Sequence, residues 1–483
     1  MKATHPPAIL VLAGEEWRYW CRSRLVLAVS LLFLLLLVAV STLTAVQMTA
    51  ENAHRAQHQR ESEQQFLAQP DRHPHRMVHY GHYVFRPPAP LAIFDPGLDA
   101  VTGQAMFLEG HRQNSATFSA AAGSAAMTGI AQLTPALLYQ LFAPLLLILL
   151  GHGALVRERE AGTLSPLLAQ GLSDRALLAG KALALLGVCL LLLIPLIASA
   201  LGAVVRGESM LAAMALVGVY GLYLLGWAGL TLLASFVLRQ RSTVLAVLAA
   251  LWLVLTLVLP AMAVNISARA VPLAGKIETE LAMLAEKRDL SDGHRLHGAA
   301  AEQLRADLFQ QYGVQRLEDL PVNIRGLFAQ QAEQALTASM NKYAEKRMQK
   351  ETRQAQWMAT QGWFAPPLAL AIASRRIAGT DLAHHHRFLR QAEALRYEFV
   401  QGLNRVHAEQ LPYIDDINRN RDAAAYDRTR MAASNWRLLD SFALDRADAA
   451  TRLARAAAPV ASLAAWLGLL GILLFWVGGR VRL

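Results

Sequence analysis

Six stretches of this chain are each long and apolar enough to cross a hydrocarbon core of about 30 Å, which takes about 20 helical residues. They run over 25–46, 134–155, 182–205, 211–238, 243–265 and 459–479, and none contains Asp, Glu, Lys or Arg. A chain with six such segments is expected to be an all-α membrane protein with six transmembrane helices. Proton relays and voltage sensors place ionisable groups inside the bilayer. Their absence from these six stretches points to an energy source outside it.

The positive charge fits a membrane orientation better than a nucleic-acid partner. Of 46 Lys and Arg residues, 12 fall on segments that alternation from an inside N-terminus places in the cytoplasm. They are four before residue 25, four in 157–181, two in 239–241 and two in the tail 480–483. That bias predicts N-in, C-in topology and a multi-pass protein of the bacterial inner membrane. The other basic residues are scattered among acids, and no basic patch interleaved with aromatics marks a nucleic-acid surface. Residues 1–24 carry Ile9, Leu10, Val11 and Leu12 followed by Glu15, Glu16, Trp17, Arg18, Tyr19 and Trp20. This mixture reads as an amphipathic helix on the inner leaflet, serving either as a juxtamembrane anchor or as a grip on a partner.

Two long polar regions then lie outside, 47–133 and 266–458, forming a large and mostly helical extracytoplasmic domain. In the first, Glu51 to Gln69 is expected to prolong the first span. Residues 78–85 have the aromatic and β-branched character of a short strand or hairpin piece. In the second, helices are expected near 276–310, 326–358, 382–408 and 422–457, the last running into the sixth span. Breaks are expected at Pro321, Gly362, Pro366–Pro367 and Pro412. Apolar residues three and four apart, such as Leu281 and Leu284, suggest that these helices bundle.

Thirteen of the 15 histidines fall in these two regions. His73, His75, His79 and His82 form one group, and His384, His385 and His386 another. Imidazole is a good ligand for copper, zinc or iron, but no carboxylate or thiol completes a set at fixed spacing. Consecutive histidines also cannot all face one ion from a regular helix. Packing and surface hydrogen bonds are the competing uses, so no metal site is assigned from the sequence. Cys21 and Cys189 stand on different elements and imply neither a disulfide framework nor a zinc site. H-E-x-x-H, G-x-S-x-G and G-x-x-x-x-G-K-[ST] are all missing from the chain. No phosphate loop of its own is therefore available to bind ATP, and no cofactor is expected in this chain.

The most specific segment is the loop 156–181. It opens with Arg157-Glu158-Arg159-Glu160-Ala161-Gly162-Thr163 and continues through Leu164, Pro166, Leu167 and Leu168. It breaks at Gly171 and closes on Leu178-Ala179-Gly180-Lys181. A charged exit, a short apolar helix ended by glycine and an N-cap at Ser173 or Asp174 would hold a compact helix between two spans. Leu164, Leu167 and Leu168 would then be free to pack on a soluble partner. The segment resembles the coupling loop of ABC-2 type transporter permeases: Glu-x-Glu-x-Gly-Thr, a Leu-Leu pair, a break, and Leu-x-Gly-Lys at the next span. Glu158, Glu160, Gly162, Thr163, Leu167, Leu168, Leu178, Gly180 and Lys181 occupy the matching positions.

Further stretches are similar to an ABC-2 subgroup with large periplasmic domains, grouped with NosY-like permeases linked to multicopper-enzyme maturation. They are His79 to Pro88, Phe94-Asp95-Pro96-Gly97, Glu109-Gly110-His111-Arg112 and Gly379 to His385. The resemblance implies a permease subunit rather than an enzyme. It also implies a separate dimeric ABC ATPase holding ATP and Mg, and a second permease copy or a sister permease. A periplasmic binding protein or receptor is a further expected partner, beside the lipid bilayer itself. A mechanotransmitter, or a sensor or scaffold acting on periplasmic partners, is the alternative.

Overall fold

A computed structural model describes residues 7–119, 133–288, 298–439 and 442–479. Helices α1 (Ala8–Arg22) and α2 (Arg24–Leu67) open the chain, separated by Ser23 alone. A short helix α3 (Pro74–Tyr80) leads into a two-stranded antiparallel sheet of β1 (His82–Phe85) and β2 (Ala105–Leu108), with His82 opposite Leu108. The strand expected over 78–85 is therefore confined to its second half. The first half is helical, with His73 capping it by accepting from the His75 N–H at 3.1 Å.

The second span, α4 (Pro135–Glu160), contains a π-turn at Leu138–Phe142 and a tight turn at 152–155. Next come the short α5 (Leu164–Ala169), then α6 (Asp174–Val205), α7 (Met210–Val237) and α8 (Arg241–Ala270). The extramembrane domain follows with α9 (Lys276–Arg288), α10 (Ala299–Tyr312), α11 (Ile324–Gln361), α12 (Pro366–Ala378) and α13 (Leu382–Gln410). Short helices α14 (Tyr413–Asn418) and α15 (Ala423–Arg428) precede α16 (Ala449–Val477), the sixth span.

Six of these helices, α2, α4, α6, α7, α8 and α16, are long and apolar enough to span a membrane. The chain is thus an all-α membrane protein, with one small strand pair among the described residues. The 44 residues of α2 make a helix about 66 Å long at 1.5 Å per residue, twice the hydrocarbon thickness. Its polar half becomes a stalk against which β1 packs: Gln59 Oε1 accepts from the Phe85 N–H at 2.8 Å, and Ser62 Oγ from the Tyr83 N–H at 2.9 Å.

Three expectations need correction. The helix foreseen over 422–457 is instead α15, a 3-10 segment at Ala433–Leu439 and irregular chain before α16, which starts only at Ala449. The Asp448 side chain caps that start by accepting from the Thr451 N–H at 2.7 Å. Leu281 and Leu284 are exposed, so α9 does not bundle through them. It docks on α11 through Glu286, which accepts from Tyr343 OH at 2.9 Å and Ser339 Oγ at 3.0 Å and pairs with Lys342 at 3.1 Å.

The third correction is α12, which the prolines had marked only as a break. Pro366 and Pro367 sit in its first turn, where no backbone donor is lost. Leu370, Ala373, Ile377 and Ala378 then enter the same core as the membrane helices, against α7 and α16. The extramembrane domain is thereby inserted into the bundle rather than merely tethered to it.

Candidate functional site

The charged exit of α4 has each of its four side chains tied to a different partner. Arg157 pairs with Glu16 of α1 and lies over the Tyr19 ring, 3.9 Å from its centroid. Glu158 accepts from Lys181 Nζ of α6 at 3.1 Å and from Thr163 Oγ1 at 2.5 Å. Arg159 donates at 3.0 Å to the carbonyls of Phe236 and Leu238, two of the terminal acceptors a helix such as α7 leaves unpaired. Glu160 pairs with Arg241 Nε at 2.6 Å and accepts from its backbone N–H at 2.8 Å, capping the start of α8. Lys181 also reaches Glu16, and both side chains are buried.

Helix α1 reaches this hub because α6 is narrow where the two cross. A β-carbon on Gly180 would lie 2.6 Å from Leu12 Cβ and 3.1 Å from the Ile9 carbonyl; one on Gly187 would lie 3.1 Å from the Trp17 ring. Trp20 Nε1 donates to the Leu150 carbonyl at 3.1 Å, fixing the far end of α1 to α4. Helix α1 is thus a packed part of the bundle's loop end.

Gly162 and Gly171 bracket α5 with φ of +71° and +86°, a left-handed conformation that favours glycine. Ser173, not Asp174, caps α6 by accepting from the Ala176 N–H at 3.2 Å. Leu164 is buried in the bundle core and Leu168 packs against it, so these two seat α5, while Leu167 is half-buried. The exposed rim is Gly162, Ser165, Pro166, Ala169 and Gln170. Glu158, Glu160 and Lys181 are engaged within the chain.

At the opposite end of the bundle a second polar chain links α12 to the spans. Tyr220 OH donates to Ser374 Oγ at 3.1 Å, and Ser374 Oγ donates to Asp95 Oδ2 at 2.5 Å. Gln140 Nε2 donates to Tyr220 OH at 3.2 Å. Beside it Arg452 of α16 pairs with Glu208, the acid of the short loop between α6 and α7, and donates to the Ile377 carbonyl at 2.9 Å.

The histidines separate on folding. His73 and His407 both approach Asp416, at 3.1 and 2.9 Å, where Asn323, Arg325 and Arg419 converge as well. Burial pushes His73 down to about 4. Burial alone would raise the Asp416 carboxyl, but hydrogen bonds from His407 and His73 outweigh it and hold it well below the usual carboxylate range. His82 is buried with its ring edge-on to Phe66, away from its sequence neighbours. His386 pairs with Glu351 at 2.8 Å, His385 meets Arg86 at 3.1 Å and His384 is buried, so the three consecutive histidines serve separate surroundings. His75 and His79 instead meet His111, which sequence proximity did not connect to them.

Six helices able to span a membrane, an ion-paired loop hub at one end and an inserted helical domain at the other make a multi-pass membrane protein. Residues 10–284 match the ABC-2 family transporter protein, and the chain belongs to that family. It is a permease component of an ABC transporter, not itself catalytic, and the family implies an ABC ATPase as partner. Residues 276–445 match a separate domain of unknown function, DUF3526. That second match adds a C-terminal domain to the permease and does not name the NosY-like subgroup. No curated protein matches the chain.

Proposed function

We propose that the exposed rim of α5 is the docking point of a separate, dimeric ABC ATPase on the cytoplasmic side, and that ATP-driven closure of its subunits moves this loop. One observation carries the reading: the four residues 157–160 lock the loop to α1, α6, α7 and α8, so a push on α5 reaches the whole bundle. Glu158, Glu160 and Lys181 hold the loop in shape, Gly162 and Gly171 allow its turns, and Leu164 and Leu168 seat it. ATP and Mg belong to the partner ATPase. The work is delivered to the large periplasmic domain, either to gate a path for cargo or to act on a periplasmic partner. The packing of α12 against both α7 and α16 favours the second outcome, since it couples the domain directly to the moving helices.

The test is co-purification of the ATPase from native membranes with Ser165→Arg/Ala169→Arg, both on the exposed rim. Recovery of the ATPase should fall by about tenfold or more, the loss of about 1.4 kcal/mol of binding, while the permease keeps its yield and melting temperature. Equal recovery with the variant and the natural chain removes α5 as the docking point.

A further inference from the structure

We propose that His75, His79 and His111 form a binding site for a late first-row divalent metal ion, zinc or copper(II), on the surface of the extramembrane domain. His75 and His79 stand four residues apart on α3 and therefore share one face of that helix. Their Nε2 atoms lie 3.4 Å apart. The hairpin brings the turn after β2 alongside, and His111 then places its ring centroid 5.8 Å from that of His75 and 5.1 Å from that of His79. One nitrogen from each ring lies within 4.8 Å of the other two. A tetrahedral ion about 2.0–2.1 Å from each imidazole nitrogen sets donors about 3.4 Å apart, a spacing His75 and His79 already have and His111 reaches by a small closing movement of its ring.

His111 is held for this position. Its backbone is left-handed, with φ +63°, an uncommon conformation outside glycine that concentrates at functional sites. Glu333 fixes it twice, lying 3.3 Å from its backbone N–H and 2.8 Å from its Nδ1. Glu333 is in turn buried against Arg396 at 2.6 Å. A carboxylate orienting a histidine ring is the usual support of a metal ligand. The donor set is all imidazole, which suits zinc and copper(II) better than calcium or magnesium. With three protein ligands and His79 exposed, a coordination position faces solvent, as in sites that exchange a ligand rather than purely structural ones.

The neighbouring group of His73, His407 and Asp416 lies equally close together. There, however, Arg325 and Arg419 already neutralise the only carboxylate, and a cation would meet two guanidinium groups. The ion therefore belongs with His111. Its binding would tie α3 to the His111 turn and, through Glu333, to α11 and α13.

The full-length protein is stripped with a chelator in detergent and titrated separately with Zn²⁺ and Cu²⁺ against a chromophoric competitor. The natural chain should bind one equivalent of at least one of these ions. His75→Ala/His79→Ala should lose about tenfold or more in affinity, whereas His54→Ala/His58→Ala, which changes two histidines of α2 outside the cluster, should bind as the natural chain does. Both pairs change side chains that are not deeply buried, and circular dichroism checks that each variant is folded. Failure of the natural chain to compete for either ion overturns the proposal, as does equal affinity in the His75/His79 variant. An intact metal site with a failed ATPase co-purification, or the reverse, separates this inference from the proposed function.

Discussion

Gly180 and Leu12 are in contact across the α1–α6 crossing, so close that a β-carbon on the glycine would stand 2.6 Å from the leucine's own. The Ile9 carbonyl on the same side, 3.1 Å from that β-carbon, leaves backbone as well as side chain in the way.

Gly180→Leu should therefore lift α1 from α6 and pull Glu16 away from Lys181. Overpacking of this kind costs about 1–3 kcal/mol. A drop in the melting temperature of the detergent-solubilised protein, with a new protease cut in the first 24 residues, checks it. An unchanged melt and cleavage pattern would mean that the crossing bears no load.

Lys181→Met leaves Glu16 with Arg157 alone and removes the buried ammonium between Glu16 and Glu158. Breaking a buried pair from one side costs about 3–5 kcal/mol, while replacing both partners by apolar groups costs far less. The melting temperature should fall steeply in Lys181→Met and recover in part in Glu16→Leu/Lys181→Met. A double variant that simply adds the two single losses would show that the residues do not interact.

Arg396 plays the same part in the extramembrane domain, fully buried against Glu333 at 2.6 Å and Glu393 at 2.8 Å. Arg396→Met strands two carboxylates between α11 and α13, with an expected loss of about 3–5 kcal/mol. Faster hydrogen exchange confined to those two helices and the His111 turn, with the spans unchanged, is the expected signature. Exchange that stays at natural levels throughout α11 and α13 would rule out this role.

Acid should destabilise the extramembrane domain through His384 and His385. Burial, and next the Arg86 guanidinium, push these imidazoles down to about 3 and about 4. Arg446, His385 and Arg452 also face His384, His386 faces His385, and Glu351 partly opposes the effect at His385. The unfolded chain takes up protons near pH 6.5 that the folded chain refuses, so stability is full above that pH. It declines between about 6.5 and 4, by up to about 1.4 kcal/mol per pH unit for each group. Asp99 acts oppositely: burial pushes it up to about 6, so its effect is lost as pH rises from 3.8 to 6. Melting curves at pH 7.5, 6 and 5 should show a net fall, and His384→Gln should lessen it while His385 and His73, also pushed down to about 4, sustain the rest. A fall of the same size in that variant would place the acid sensitivity elsewhere.

The spans were readable because a run of about 20 apolar residues has few alternatives to a transmembrane helix. The loop 156–181 was readable because its glycines and charges lie close together in sequence. Helix α12 was not, because 13 residues with two leading prolines are too short to span, and only contact with α7 and α16 explains their hydrophobicity. The histidines show the limit most clearly. Proximity grouped His82 with His79, but the change from helix to strand at Gly81 turns His82 inward against Phe66, while β1–β2 pairing delivers His111 from 32 positions beyond His79. Glu16 and Lys181, 165 residues apart, carried no local sign of their pairing.

The first span deserves to be read as a machine part. Between Arg24 and Leu67 there is neither proline nor glycine, whereas α6 and α16 each carry an internal proline, Pro195 and Pro459. A helix with no built-in hinge carries motion along its length better than a kinked one. A displacement where α1 meets α2 is therefore expected to reach the strand that packs on its far half.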